Sequence, residues 1–199
     1  MAGRPSRESL AERIVETALD EAERTGWPSL RLHRVAARLE LSLSELYRHF
    51  VDADAIAEAW LSRADRAMLA RRGRAFARRA PAVRLEETLL AWLDALSRHR
   101  AVTRSILLGK LYPGHPHHLA ALVFRLSRTV QWWREASLLD GGPPRRQIEE
   151  IALTWLFVAT IGVWANDASP GQQATRRFLK GALGAANTLV ARFLARSAS

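Results

Sequence analysis

The stretch LSLSELYRHF, residues 41–50, gathers the side chains of this chain best suited to meeting another molecule. Ser42, Ser44, Tyr47, Arg48 and His49 bring hydroxyls, a guanidinium and an imidazole close together, and these groups donate hydrogen bonds to phosphate oxygens and to base edges. Glu45 only accepts. It can take a bond from an exocyclic base amine such as cytosine N4, or fold back onto Ser42 three positions earlier as the second half of a capping box. Leu46 and Phe50 recur at a four-residue interval, so the stretch reads as a short helix with one apolar face.

Other constellations carry less chemistry. HisProHisHis at 115–118 has no cysteine or nearby carboxylate and holds a proline between its first two histidines, so it reads as a polar loop with no metal. GlyAlaLeuGly at 181–184 follows no strand and is not a phosphate loop. Gly181, Ala182, Gly184, Ala185 and Ala186 instead suit close packing of one helix on another. The arginine-rich segment 63–79 invites a nucleic-acid or lipid reading, yet as a helix it turns Ala67, Met68 and Phe76 inward and leaves its charges in solvent. No nucleophile motif, paired-carboxylate pattern or cofactor fingerprint occurs, so the expectation is a protein that is not an enzyme and needs no cofactor.

The elements that must position residues 41–50 are helical throughout. Apolar residues repeat at helical spacing in almost every long segment, and the fold class is read as all-α with about nine helices. Ser9 and Glu12 open the first helix with a capping box, Ile14, Val15, Ala18, Leu19 and Ala22 face inward, and Gly26 closes it. Leu32, Val35, Ala36 and Leu39 mark a short second helix, and Ser42 with Glu45 opens the third. A longer helix from about Asp52 loosens around Gly73 and stops at Pro81. Further helices are expected over 83–98, 101–110, 117–138, 145–166 and 172–196, separated by turn-forming runs at 112–116, 140–144 and 169–171. Residues 1–51 then form a three-helix unit and 52–199 a larger bundle.

With 48% hydrophobic residues and no cysteine, the chain rests on packing and hydrogen bonds alone. Its N-terminus has no signal-like apolar run, and 151–165 falls short of the roughly 20 residues that span a bilayer, so the expected location is cytoplasmic with no integral membrane insertion.

GWPSLRLHRVAARLELSLSELYRHF at 26–50 resembles the DNA-binding signature of the TetR family of bacterial transcriptional regulators, TyrArgHisPhe at 47–50 being its most distinctive part. The resemblance implies a helix-turn-helix whose third helix enters the major groove. It puts Ser42, Leu43, Ser44 and Glu45 in the groove, Tyr47, Arg48 and His49 on phosphates or bases, and Arg31 and His33 on the backbone. It also implies a homodimer on a near-palindromic double-stranded operator, typically as a repressor, released by a small molecule in the C-terminal bundle. Two residues depart from the family pattern: Glu40 stands at a turn position usually held by glycine, and Ala53 where a phosphate-neutralising lysine is usual.

Charge distribution bears on how strongly such a head binds. The chain carries +10 overall, yet residues 1–60 hold eight arginines against eleven acids. Phosphate neutralisation drives non-specific affinity, so a single head is expected to bind weakly and a pair to be needed.

In the C-terminal part, Trp92, Leu96, Leu107, Tyr112, Phe124 and Trp155 are candidates to line a site for a small hydrophobic effector, with core packing as the competing role for the aromatics. Segment 147–165 is apolar on most sides, and helices 145–166 and 172–196 are the expected homodimer surface. Stretches 104–116, 164–170 and 177–179 are weakly similar to the COQ9 family, TetR-like proteins that bind isoprenoid lipids for ubiquinone synthesis. That similarity implies the alternative function, a lipid-presenting protein with a vestigial helix-turn-helix.

Overall fold

Ser9 and Gly26 set the limits of the first helix by local chemistry alone. The Ser9 hydroxyl accepts from the Glu12 amide while the Glu12 carboxylate accepts from the Ser9 amide, so two otherwise orphaned donors are satisfied. Gly26 stops the helix at φ 81° and ψ 145°, a positive-φ conformation outside the left-handed helical well expected for it and equally dependent on the missing Cβ.

The computed structural model describes residues 9–110 and 116–197, and among these it is all-helical. Its helices are α1 (Leu10–Thr25), α2 (Leu32–Arg38), α3 (Leu43–His49), α4 (Ala53–Leu69), α5 (Pro81–Leu96), α6 (Arg100–Lys110), α7 (Pro116–Ala136), α8 (Arg145–Ala165) and α9 (Gln173–Ser197). The all-α expectation therefore holds, and most boundaries fall within two residues of those read from the sequence. Tyr112 and the first histidine of HisProHisHis, His115, lie outside the described residues.

Two expectations fail between α4 and α5. The arginine-rich segment is not one helix: α4 ends at Leu69, and only a single tight turn at Phe76–Arg78 interrupts the irregular chain that follows. Phe76 is buried as expected, but by this turn rather than by a helix face. Pro81 begins α5 instead of ending α4, because the first helical position needs no amide donor and suits proline's fixed φ.

The chain divides into two compact units. The first comprises residues 1–63 and 96–112, so it takes in more than the 1–51 segment. Here α1 packs on α2 and α6, and α2 on α3, around Ile14, Leu19, Val35, Leu46, Ile56 and Trp60. Trp60 donates through its indole nitrogen to the Thr103 hydroxyl at 2.9 Å, and its ring meets the edge of buried His99.

The second unit, residues 64–95 and 113–199, packs α8 against α7 and α9. Phe157 lies edge-on to Trp92 at 5.2 Å and beside Trp133 at 5.9 Å. Each indole nitrogen has an acceptor: Trp92 donates to Asp65, and Trp133 to the Leu85 carbonyl and the Thr88 hydroxyl. Trp92, Trp133 and Trp164 are thus core residues, whereas Trp132 and Trp155 are exposed.

By length and composition α8 is apolar enough to cross a membrane, which the shorter run 151–165 was not. Its inner face, Leu153, Phe157, Thr160 and Trp164, is buried within the unit. Phe157 serves two tryptophans at once. Phe157→Ala is expected to cost about 3–5 kcal/mol of stability in urea unfolding, since a cavity between two rigid indoles cannot collapse.

Candidate nucleic-acid interface

The reading helix is positioned by a closure at each end. At the α2–α3 turn, the Leu41 amide donates to the Ala36 carbonyl at 2.9 Å and the Glu40 amide to the Ala37 carbonyl at 3.2 Å. That pairing requires a positive φ at Glu40, which adopts 56°. The residue standing in the usual glycine place therefore takes the glycine conformation and carries its strain.

Ser42 then opens α3. Its hydroxyl accepts from the Glu45 amide at 3.1 Å, and Glu45 Oε2 accepts from the Ser42 amide at 2.9 Å and the Ser42 hydroxyl at 2.8 Å. Of the two roles left open for Glu45, the cap is formed. The Ser42 backbone amide, then its hydroxyl, then Arg48 hold the Glu45 carboxyl below its ordinary range. At the other end the Phe50 amide donates to the Leu46 carbonyl, and both side chains are buried as expected.

Burial of Leu46 and Phe50 turns the opposite face out. Leu43 is 55% and Tyr47 63% exposed, and Ser44, Arg48 and His49 are exposed with them. Residues 43, 44, 47 and 48 share one helical face. Seven residues rise about 10 Å, which fits a major groove about 12 Å wide.

Glu21 is a residue of this region that the sequence reading did not single out. Its side chain is 4% exposed on α1 and faces Arg24 at 3.1 Å, Arg38 at 3.5 Å and Arg34 at 4.0 Å. Arg34 and Arg38 remain partly exposed on their outer side. The signal was present: a glutamate three residues after Ala18 and seven after Ile14 sits on the apolar face. Arg31 caps α2 without a side-chain bond and bends over its own turn, donating to the Pro28 and Leu30 carbonyls, while His33 is exposed in the first turn.

The acidic balance of residues 1–60 does not describe this unit. Residues 96–112 and Arg63 add five basic side chains, giving thirteen basic against eleven acidic, net +2. They also reach the acids: Arg63 and Arg98 pair with Glu16, His99 Nδ1 lies 2.7 Å from Glu23, and Lys110 Nζ 3.2 Å from Asp54. Ala53, in the usual lysine place, opens α4 and supplies no charge.

The chain matches no family model and no curated protein. Among solved structures, a TetR transcriptional regulator from Nitrosomonas europaea is 37% identical with a TM-score of 0.80, the match covering 89% of this chain and 98% of that one. The chain belongs to the TetR family of transcriptional regulators. Two more distant structures share the fold: a TetR transcriptional regulator from Rhodococcus sp. RHA1 at 18% identity and TM-score 0.58, covering 86% of this chain and 93% of that one, and a TetR-like regulator from the same source at 18% and 0.55, covering 93% and 99%. TetR membership makes the chain a transcriptional regulator with a DNA-binding helix-turn-helix. These likenesses give no support to the lipid-presenting alternative.

Of the six residues read as effector contacts, the five that are described, all but Tyr112, are placed less coherently. Trp92 is buried in the second unit, where Phe124 and Trp155, each 71% exposed, face outward. Leu96 and Leu107 belong to the first unit, buried and half-buried respectively. Exposed aromatics at these positions do not line an enclosed cavity within the unit.

Relief of the turn strain is measurable. Glu40→Gly is expected to raise stability by about 1 kcal/mol, read as an upward shift of Tm, whereas Ser42→Ala is expected to cost about 1 kcal/mol by removing the cap. No gain from the glycine would mean that Glu40 adopts the conformation without penalty.

Proposed function

We propose that the chain acts as a homodimeric repressor that reads a near-palindromic operator through α3 and releases it when a small apolar effector binds. Supporting this reading above all is the outward face of α3, with Ser44, Tyr47 and Arg48 held by a cap at one end and by Leu46 and Phe50 beneath. In this reading Leu43, Ser44 and Tyr47 approach base edges, Arg48 and His49 meet phosphate, and Arg31 and His33 with Arg34 and Arg38 touch the flanking backbone. Ser42 and Glu45 sit at the groove mainly as the cap. Such a protein works where its DNA is, in the cytoplasm.

Pairing follows from α8. Ile148, Ile151, Trp155 and Val158 form an exposed apolar stripe. The sequence suggested that α8 is buried on more than one side; within one chain this stripe has no cover, so a second copy is the natural source of it. On α9, a Cβ built at Gly181 or Gly184 meets nothing within 4 Å, which leaves room for a close helix approach. Two heads about 34 Å apart would then read successive turns of one duplex face.

An anisotropy titration against the DNA flanking the coding region tests the function, with random duplex as reference. The expected result is a clear preference for the flanking DNA. Equal binding at low salt would overturn the operator reading. Arg48→Ala is expected to weaken binding and reduce the salt slope by about one unit, as loss of one phosphate contact requires.

The dimer has its own test in sedimentation. Trp155→Glu is expected to convert dimer to monomer and weaken operator binding with the helical CD signal unchanged, because this side chain is 71% exposed within its own chain. A variant that stays dimeric would remove α8 from the interface.

A further inference from the structure

We propose that the second unit carries a binding site for a small anionic amphiphile, in a pocket of about 340 Å³ between the 70–77 segment and the turn that ends α7. Leu69, Phe76 and Leu138 supply its apolar walls, and Arg71, Arg72 and Arg74 its charge. None of the lining residues carries a carboxylate.

Arg72 is the key to the charge. Its guanidinium is half-buried and donates to the Met68 carbonyl at 2.7 Å and the Ala70 carbonyl at 3.1 Å, with its carbon 5.1 Å from the centre of the Phe76 ring. Two carbonyls and a ring face are dipoles and a quadrupole, not a counter-charge. Burial accordingly pulls its pKa down, with no acid to oppose it. Arg71 and Arg74 are exposed and form no ion pair among the described residues. An anionic head entering here meets three guanidiniums and gives Arg72 a counter-ion that it does not have among the described residues.

The walls are held in place before any ligand arrives. One guanidinium, that of Arg84, donates to the Ala77 carbonyl at 3.0 Å and the Arg79 carbonyl at 3.2 Å on one side, and to the Ser137 carbonyl at 2.8 Å and the Leu138 carbonyl at 3.0 Å on the other. Leu138 is kept at a φ of 54°, a conformation leucine rarely takes, which turns the main chain away from a continued α7. A pre-formed pocket with one cation, Arg72, already held in place suits a ligand that is itself small. The volume lies at the low end of small-molecule sites, about 300–1,000 Å³, and matches a carboxylate or phosphate head with one short chain or ring.

The probes are sodium octanoate, octyl phosphate and octanol, followed by amide NMR on the intact protein without DNA, so the outcome is independent of the operator reading. Octanoate and octyl phosphate are expected to shift the Gly73, Ala77 and Leu138 signals, and octanol to bind at least about tenfold more weakly. Arg72→Gln and Arg74→Gln are each expected to weaken octanoate about tenfold. Arg74 is exposed and forms no ion pair among the described residues, so its variant should keep the parent Tm and separate binding from folding. The proposal is overturned if octanol binds as tightly as octanoate, if both variants bind like the parent, if the shifts fall elsewhere, or if only anionic vesicles and not dissolved octanoate engage the site.

Discussion

A carboxylate buried on the first helix holds the reading head together. Glu21 lies among apolar residues where an unanswered charge would be strongly destabilising, so guanidiniums must come to it. Arg24 comes from α1 itself, but Arg34 and Arg38 come from α2 and fix its rotation on α1. The angle of α2 then sets that of α3, because the turn between them closes through backbone bonds from Glu40 and Leu41. One ion cluster thus links the core of the unit to the exposed face of α3, and the same two arginines keep an exposed outer side.

The apparent conflict between an acidic N-terminal segment and a polyanionic partner dissolves at the level of the folded unit. Acids on α1 and α4 face basic groups contributed by Arg63, Arg98, His99 and Lys110. Fields from paired charges fall off faster than those from isolated ones, and screening at physiological salt shortens them to about 8 Å. What a phosphate near α3 meets is therefore the local set: Arg31, Arg34, Arg38 and Arg48 against Glu40 and Glu45. Counting charge along the sequence misjudged this because residues 96–112 are distant in the chain and part of the same unit.

That contrast marks what was legible in the sequence. Both capping boxes, the inward Leu46 and Phe50 and the strained Glu40 were readable, since each depends on residues within a few positions of one another. Helix boundaries in the second unit were readable for the same reason, through prolines and glycines in the turns. The segment 70–80 was not: its arginines and alanines have good helix propensity, and bonds from Arg84 on the next helix help to hold it in another form. The aromatic residues of the second unit were equally ambiguous. Period alone cannot tell Trp133, inside with two acceptors, from Trp132 beside it in solvent.

The second unit shows the complementary use of polarity. Its core hydrogen bonds, from Trp133 to Thr88 and between the Thr88 and Ser137 hydroxyls, tie α5 to the end of α7 at the point where Arg84 also grips the Ser137 carbonyl. Arg134 performs a similar task on the next loop, reaching Glu149 on α8 and the Gly141 carbonyl. Asp167 does so before α9: the Ser169 hydroxyl and then Thr175 hold its carboxyl far below the ordinary range. Loops fastened in this way leave little freedom at the turns, and the apolar stripe on α8 is presented by a rigid unit. A rigid surface of that kind would lose little entropy in the proposed pairing with a second copy.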